Sequence, residues 1–143
     1  MQVAIGQLRQ RLKDSGPNWK LIATVGAGYR LTLSDPMRLD AQRFRSLAER
    51  GKALSRTQPR VARALLSEAL ECWRGPVLGD HGQLRWARGH ATELETLRNQ
   101  AETALNDVRL SLHEYDGLET TLRRQILEHP ADERRWAQLI RAL

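Results

Sequence analysis

Apolar residues recur at close to helical spacing at the start of the chain, and the pattern then changes to that of strands. The apolar positions of the first segment are Val3, Ile5, Leu8 and Leu12. Their spacing predicts a helix over residues 3–13, which the turn-forming residues 14–18 bring to an end. Two strand-like runs follow, Trp19–Val25 and Tyr29–Leu33, with a glycine-containing turn between them. The opening residues are therefore predicted to form a helix and a β-hairpin.

Residues 34–36, Ser-Asp-Pro, mark the predicted boundary between two parts of the chain, 1–36 and 37–143. After this boundary the apolar pattern is helical throughout. The predicted helices cover about residues 40–54, 59–74, 87–113, 118–129 and 132–143. Three residues are helix-start signals, namely Asp40 and Asp132 as N-caps and Pro59 near a first helical position.

The connections between the predicted helices are short, which implies antiparallel neighbours. Small residues between larger ones on paired helices are typical of tetratricopeptide repeats, and the spacing of Ala62, Ala69 and Trp73 fits this pattern. A strict period of about 34 residues is not visible. The predicted fold class is mainly α, with a tetratricopeptide-like antiparallel helical domain behind the helix and hairpin. The last helix is expected to turn four apolar residues inward, Trp136, Leu139, Ile140 and Leu143.

A basic helix followed by a hairpin is the arrangement with which a winged helix binds DNA, the helix in the major groove and the hairpin along the neighbouring backbone or minor groove. The candidate DNA contacts on the helix are Gln7, Arg9, Gln10, Arg11 and Lys13. Arginine pairs with guanine edges and glutamine with adenine edges. The alternative interpretation of the same residues is an ordinary solvated helix face.

The distribution of charge favours an anionic partner for the opening residues. The chain carries a net charge of +6. Residues 1–36 hold five Lys or Arg and two Asp, a net +3, while residues 37–143 hold 18 against 15, the same net charge over three times the length. Phosphate contacts draw mainly on Arg and Lys, so the density of positive charge is highest where the DNA-reading helix is predicted.

Composition describes a globular protein of the cell interior. Hydrophobic residues make up 41% and charged residues 28% of the 143 positions. We expect no membrane span and no signal peptide, because the apolar runs are only a few residues long and no signal pattern opens the chain. The single cysteine, Cys72, has no partner for an internal disulfide, which favours a reduced, cytoplasmic compartment.

Several segments together carry a resemblance to a known family. The sequence V-A-I-G-Q-L-R-Q-R-L, followed after a turn by I-A-T-V-G-A-G-Y-R-L, resembles the last helix and the wing of the response-regulator type of winged helix. Residues 39–44, 72–78 and 128–139 resemble the bacterial transcriptional activator domain that follows such a winged helix in the Streptomyces antibiotic regulatory protein family. The order and spacing of these motifs, rather than any one of them, carry the resemblance.

The resemblance implies a DNA-binding transcriptional regulator of the activator type, located in the cytoplasm and associated with the nucleoid. Its winged helix would bind double-stranded DNA at promoter repeats, with Gln7, Arg9 and Arg11 as the first contacts. Its helical domain would support a homodimer and contact with other proteins, including RNA polymerase. The family's winged helix has two helices before the recognition helix, and its activator domain runs on through more helices. We therefore expect the chain to be a fragment truncated at both ends, with a partial winged helix over residues 1–36.

The predicted wing carries a family pattern of its own, T-V-x-x-G-Y-R. Thr24, Tyr29 and Arg30 match it. Thr24 and Arg30 are the candidate DNA contacts of the wing, and we expect Arg30 to contact phosphate or to serve structure while Tyr29 packs. Gly26 and Gly28 permit the positive φ that a tight turn needs. The wing tip lacks the basic residue that relatives often carry there.

No residue pattern points to catalysis. The four histidines are scattered and form no metal-binding motif; they are His81, His90, His113 and His129. The pair Asp80-His81 lies in a loop without a third partner, and Cys72 is expected in the core. We therefore predict no enzyme, no cofactor and no metal. Trp73, Trp86 and Trp136 are expected to pack between helices, with an exposed groove for a partner peptide as the alternative.

The alternative to a DNA-binding regulator is a helical-repeat interaction module with no DNA binding of its own. On that interpretation, residues 1–36 pair with another chain. In either case the apolar stripe of the first helix and the unpaired edges of the hairpin favour self-association, and we expect at least a dimer at high concentration.

Overall fold

The computed structural model describes residues 2–14, 21–33, 35 and 39–143. The chain forms two compact units, Met1–Arg38, here called the N-terminal unit, and Leu39–Leu143, here called the helical unit. Each is described by itself. The predicted boundary at 34–36 and the predicted turn at 14–18 lie largely outside the described residues, as does Trp19.

The N-terminal unit is a helix followed by a β-hairpin, as the hydrophobic pattern predicts. Helix α1 covers Gln2–Arg11. Strands β1, Ile22–Val25, and β2, Gly28–Leu31, pair antiparallel. Both strands are shorter than the predicted runs, so the hairpin contributes only a small surface against which the helix can pack.

The register of the hairpin decides which side chains share a face. Thr24 lies opposite Tyr29, and Ala23 lies opposite Arg30. Because directly opposed residues point to the same side of a sheet and successive residues alternate, Thr24 and Tyr29 share one face and Arg30 lies on the other.

The hairpin turn needs a glycine at one position only. Val25 pairs with Gly28, so the loop consists of Gly26 and Ala27. Gly26 has a φ of 56°, the positive φ that two-residue hairpin turns of types I′ and II′ require at their first loop position. The expectation of a positive φ at Gly28 was wrong, because that residue is the first of β2 and takes strand geometry.

The helical unit consists of five α-helices and one 3₁₀ turn over residues 39–143. The bounds are α2 Asp40–Leu54, α3 Pro59–Glu71, the 3₁₀ turn Gly79–His81, α4 Arg85–Ser111, α5 Leu118–Glu128 and α6 Glu133–Ala142. Helix α2 packs on α3, α3 on α4, and α5 on α6, while the long α4 also contacts α2 and α6. The prediction of a mainly α fold is confirmed, and α4 is the element that α2, α3 and α6 all contact.

Two apolar clusters form the core of the helical unit. The larger one lies between α2, α3 and α4, where Phe44, Leu66 and Ala101 are buried. The ring of Trp73 packs edge-on against Phe44, with 5.4 Å between ring centroids. The smaller cluster, at the end of α4 and between α5 and α6, consists of Leu110, Leu118, Leu122, Ile126 and Leu139.

Helices α2 and α3 meet at a glycine. A Cβ atom on Gly51 would lie 2.6 Å from Cγ of Leu66 and 3.3 Å from the backbone nitrogen of Leu66. Both residues are buried, so neither can move into solvent to relieve the overlap. The contact between the two helices therefore depends on the missing side chain at Gly51.

A buried arginine joins the last three helices. Arg135 of α6 is 0% exposed. Its guanidinium lies 3.4 Å from the carboxylate of Glu102 and 3.2 Å from that of Asp132, and it donates to the carbonyl oxygen of Gln125 at 3.1 Å. Since an unpaired buried charge is strongly destabilising, these contacts hold α6 in one position on α4 and α5.

Buried amides extend the same network. The Nδ2 group of Asn106 donates to Oε1 of Gln125 at 2.8 Å and to Oε1 of Gln138 at 3.3 Å. The Nε2 group of Gln138 donates to the carbonyl oxygen of Thr103 at 2.9 Å. The interface of α4, α5 and α6 thus combines a buried polar network with the smaller apolar cluster, whereas the buried contact of α2 with α3 is apolar.

The face that α6 buries differs from the predicted one. Leu139 is buried as predicted, but Trp136, Ile140 and Leu143 are exposed, Ile140 by 72%. The other buried positions of this helix are Arg135 and Gln138. The reason is that the neighbouring parts of α4 and α5 present polar groups, which select polar partners on α6.

The two predicted N-caps behave differently. Asp132 caps α6, and its carboxylate accepts from two backbone N–H groups of the first turn. The N-cap of α2 is Leu39, so the prediction for Asp40 was wrong by one position. Asp40 is the first residue of α2, and its carboxylate accepts from the backbone N–H of Ala41 at 2.8 Å. There its negative charge stabilises the helix dipole.

We expect Gly51→Ala to lower the stability of the helical unit by about 1–3 kcal/mol, because overpacking against Leu66 outweighs the gain in helix propensity. The matched control is Gly89→Ala in α4, where an added Cβ meets nothing within 4 Å. That substitution should raise stability by about 0.5–1 kcal/mol. Urea unfolding followed by circular dichroism measures both, and equal stabilities of the two variants would contradict the close approach.

Candidate nucleic-acid interface

The predicted DNA contacts on α1 differ in what their side chains meet. Four are exposed: Gln7, Gln10, Arg11 and Lys13. Gln7 precedes Gln10 by three residues and Arg11 by four, so these three side chains are neighbours on one face of α1. Helix α1 thus presents two amides and a guanidinium on one face, with the ammonium of Lys13 just beyond the end of the helix.

Arg9 is half-buried and contacts the hairpin. Its Nε and Nη2 groups donate to the carbonyl oxygen of Ile22 at 3.1 and 2.7 Å, and Nη2 also donates to Oγ1 of Thr24 at 3.0 Å. The guanidinium carbon lies 5.9 Å from the ring centroid of Tyr29. These contacts attach α1 to the face of the hairpin that carries Thr24 and Tyr29.

Asp14 makes a second connection between the helix and the hairpin. Its buried carboxylate accepts from the backbone N–H groups of Leu21 at 3.2 Å and of Ile22 at 2.9 Å. From the sequence pattern Asp14 is predicted only as part of a turn, and this role is not predicted. The available signal was an acidic residue placed directly after a helix and shortly before a strand, where unpaired backbone N–H groups are expected.

The end of α1 places Asp14 for that role. Lys13 has a φ of 54°, the left-handed conformation that usually selects glycine. The backbone N–H of Lys13 donates to the carbonyl oxygen of Gln10 at 3.1 Å, and that of Asp14 donates to the carbonyl oxygen of Arg9 at 2.9 Å. This pair of bonds is a Schellman motif, which reverses the chain immediately after the helix.

The wing residues divide between the two faces of the hairpin. Tyr29 is half-buried beside Arg9, and the hydroxyl of Thr24 accepts a hydrogen bond from the same arginine. Arg30 is exposed on the opposite face. The hairpin therefore uses one face to hold α1 and presents a cation on the other.

Apolar side chains remain uncovered on the described part of the N-terminal unit. They are Val3, Leu8, Leu12, Val25 and Leu31. Val3 is exposed by 76% and Leu31 by 59%. Exposed apolar surface is a common feature of sites that bind other proteins.

Groups that could support catalysis are dispersed in the described part of the chain. Among the described residues, no three His, Cys, Asp or Glu side chains are grouped so as to hold a metal ion. Asp80 and His81 are exposed on the 3₁₀ turn. Burial raises the pKa of the Cys72 thiol, which disfavours its reactive thiolate form. None of the described helices combines the length and the apolar character that a membrane span requires.

Of the three tryptophans expected to pack between helices, only Trp73 does so. Trp73 lies between Phe44 and Arg98, whose guanidinium carbon is 4.9 Å from the indole centroid. Trp136 is half-exposed, and Trp86 at the start of α4 is exposed by 65%. These two residues lie at helix positions that α6 and α4 turn toward solvent.

Comparison with known proteins identifies the family of the helical unit. Residues 39–143 match the family model of the bacterial transcriptional activator domain. The chain belongs to the bacterial transcriptional activator domain family, the family that its motifs resemble.

Curated relatives match over almost the whole chain. The transcriptional regulatory protein MoaR1 of Mycobacterium tuberculosis is 30% identical over 138 residues, which are 95% of this chain and 44% of the relative. The regulatory protein DnrI of Streptomyces peucetius is 36% identical over 135 residues, 90% of this chain and 47% of the relative. The transcriptional regulatory protein EmbR of M. tuberculosis is 31% identical over 140 residues, 96% of this chain and 36% of the relative.

The chain therefore spans less than half the length of these curated relatives. No solved structure matches the chain.

We expect removal of the Asp14 carboxylate to loosen the hairpin. Asp14→Ala leaves the N–H groups of Leu21 and Ile22 without their acceptor, at a cost of about 1–3 kcal/mol. Amide exchange at Ile22, followed by NMR, should then become faster by about tenfold or more. Gln10→Ala, which removes an exposed side chain of α1, is the control and should leave this exchange unchanged. Equal exchange rates in the two variants would contradict the role of Asp14.

Proposed function

We propose that this chain is the part of an activator-type transcriptional regulator that binds duplex DNA and contacts other proteins. Membership in the bacterial transcriptional activator domain family supports the class, as do relatives whose names describe regulatory proteins. One observation supports DNA binding. Polar and cationic side chains are exposed on the short helix α1, and Arg9 and Asp14 hold this helix against the hairpin.

The exposed face of α1 is the proposed base-reading surface. Gln7, Gln10 and Arg11 enter the major groove, where amides pair with adenine and guanidinium with guanine. Lys13 at the helix end and Arg30 on the hairpin contact phosphates, which fix the position of the helix without reading sequence.

Arg9 is proposed as a positioning residue rather than a base contact. Its guanidinium is already bonded to the carbonyl oxygen of Ile22 and to the hydroxyl of Thr24, so its part in binding is to set the angle between α1 and the wing. Thr24 acts as its partner in this role. The expected recognition of promoter repeats and the expected contact with RNA polymerase stay predictions.

Fluorescence anisotropy with a labelled duplex of mixed sequence tests the proposal. We expect binding that weakens with salt, because cationic side chains release counterions from the phosphates. Arg11→Ala should cost about 1–3 kcal/mol if it contacts a base, or lower the salt slope by about 1 if it contacts a phosphate. Gln7→Ala should reduce affinity without a change in salt slope, since glutamine carries no charge.

Two further variants distinguish residues that contact DNA from residues that only position α1. Arg50→Ala removes an exposed arginine of α2 and should leave affinity unchanged. Arg9→Ala should lower affinity and also speed amide exchange in the hairpin, whereas Arg11→Ala should affect affinity alone. Absence of binding at low salt, or equal losses in Arg11→Ala and Arg50→Ala, would refute DNA binding by α1.

Self-association is a second proposed function. It is expected both for a DNA-binding regulator and for an interaction module without DNA binding. The exposed apolar residues of α1 support it, as do the edges of the hairpin, which pair with no other strand of the described residues. We infer that two copies of the chain associate through this surface.

Light scattering over a concentration series tests the association. The chain should form at least a dimer at high concentration, and Leu8→Ser with Leu12→Ser should shift it toward monomer, because both exposed side chains lie on the apolar stripe. Ile140→Ser alters an exposed apolar residue of the helical unit and should have no effect. A strict monomer up to millimolar concentration would contradict the proposal.

A further inference from the structure

A groove crosses the helical unit where the α2–α3 turn, α4 and α6 come together. Its volume is about 1210 Å³. Six residues between Lys52 and Pro59 line one part of it, the face of α4 between Thr96 and Ser111 lines another, and α6 contributes Arg134 and Arg141. Small-molecule sites measure about 300–1,000 Å³, so this groove has room for several residues of a peptide. It is called the α4 groove below.

Cationic side chains outnumber carboxylates along the α4 groove. The cations are Lys52, Arg56, Arg134 and Arg141, and the carboxylates are Asp107 and Asp132. Both carboxylates are already paired, Asp107 with Arg134 and Asp132 with the buried Arg135. Both negative charges of the groove are therefore neutralised by arginines of the protein itself.

Three cations of the groove have no carboxylate partner among the described residues. Lys52 donates to Oε1 of Gln100, a neutral amide, at 2.6 Å. The side chains of Arg56 and Arg141 are exposed and make no hydrogen bond or ion pair with any described residue. Three unneutralised positive charges along one concave surface favour an anionic ligand.

The part of the groove formed by α4 offers one side-chain amide, that of Asn99, in a fixed position. Oδ1 of Asn99 accepts from Nη2 of Arg135 at 3.3 Å, which leaves the Nδ2 group of Asn99 as a donor. Arg135 is itself fixed by Glu102 and Asp132, so the amide belongs to the buried network. Side chains that are ordered before binding lose little conformational entropy when a ligand arrives.

We propose that the α4 groove binds an acidic, extended segment of a partner protein. Carboxylates of the segment pair with Lys52, Arg56 and Arg141, and its backbone carbonyls accept from the amide of Asn99. This site is distinct from the DNA-reading face of α1 and does not depend on it. A peptide fits better than a duplex, because reading a duplex requires an element that protrudes into a DNA groove, whereas this surface is concave and contains two carboxylates.

Fluorescence anisotropy with a labelled peptide of alternating glutamate and serine tests the site, with a peptide of alternating glutamine and serine as the neutral control. The full chain should bind the acidic peptide and not the neutral one. Arg56→Glu with Arg141→Glu should weaken binding by about tenfold or more, since each lost charged hydrogen bond is worth enough for such a change.

The matched control is Arg50→Glu with Arg85→Glu, two exposed arginines that do not line the groove. It changes the net charge equally and should leave affinity within about twofold, because surface charges far from the ligand are screened. Circular dichroism shows whether the charge-reversed variant is folded. If charge reversal unfolds the chain, Arg56→Gln with Arg141→Gln is the milder pair of substitutions. This pair should also weaken binding.

Three results would overturn the proposal. The first is no binding of the acidic peptide, and the second is an equal loss in the groove pair and the control pair. The third is that the double variant Arg56→Glu with Arg141→Glu loses duplex binding and keeps peptide binding, which would assign the groove to nucleic acid. Failure of α1 to bind DNA, by contrast, leaves the peptide measurement unaffected.

Discussion

The helical unit depends on a charge that folding removes from water. Arg135 is buried, and its guanidinium is balanced by Glu102 and Asp132 and bonded to a carbonyl oxygen of α5. A network of this kind adds little net stability compared with apolar packing, but it tolerates only one arrangement, since any slip of α6 leaves a charge unpaired. The arrangement of the last three helices, and with it the shape of the α4 groove, follows from that requirement.

The N-terminal unit uses the same chemistry on a smaller scale. A helix of ten residues and a two-stranded hairpin cannot bury enough apolar surface to hold each other by packing alone. Arg9 and Asp14 supply the connection instead, each through bonds to the backbone of β1. Polar side chains therefore set the geometry of the N-terminal unit, and they leave Gln7, Gln10 and Arg11 exposed on α1.

Much of the secondary structure follows from local pattern. The helix and hairpin, the five later helices, Pro59 at a helix start and the cap at Asp132 were all predictable, because spacing and capping act within a few residues. The candidate site was less predictable. Arg9 and Arg11 are both basic residues on one short helix, and sequence reasoning cannot separate them, whereas the hairpin contacts Arg9 and leaves Arg11 exposed.

The order of elements, the charge distribution and the family motifs are properties of the sequence by itself, because each depends on residue type and spacing along the chain. Only the tertiary structure decided which side of α6 is buried, since the apolar pattern favours Trp136 and Ile140 while the polar groups of α4 and α5 select Arg135 and Gln138. It likewise decided that Gly51 has no room for a methyl group. The physical reason is the same in both cases: burial depends on the chemistry and shape of the neighbouring helix, which no local pattern contains.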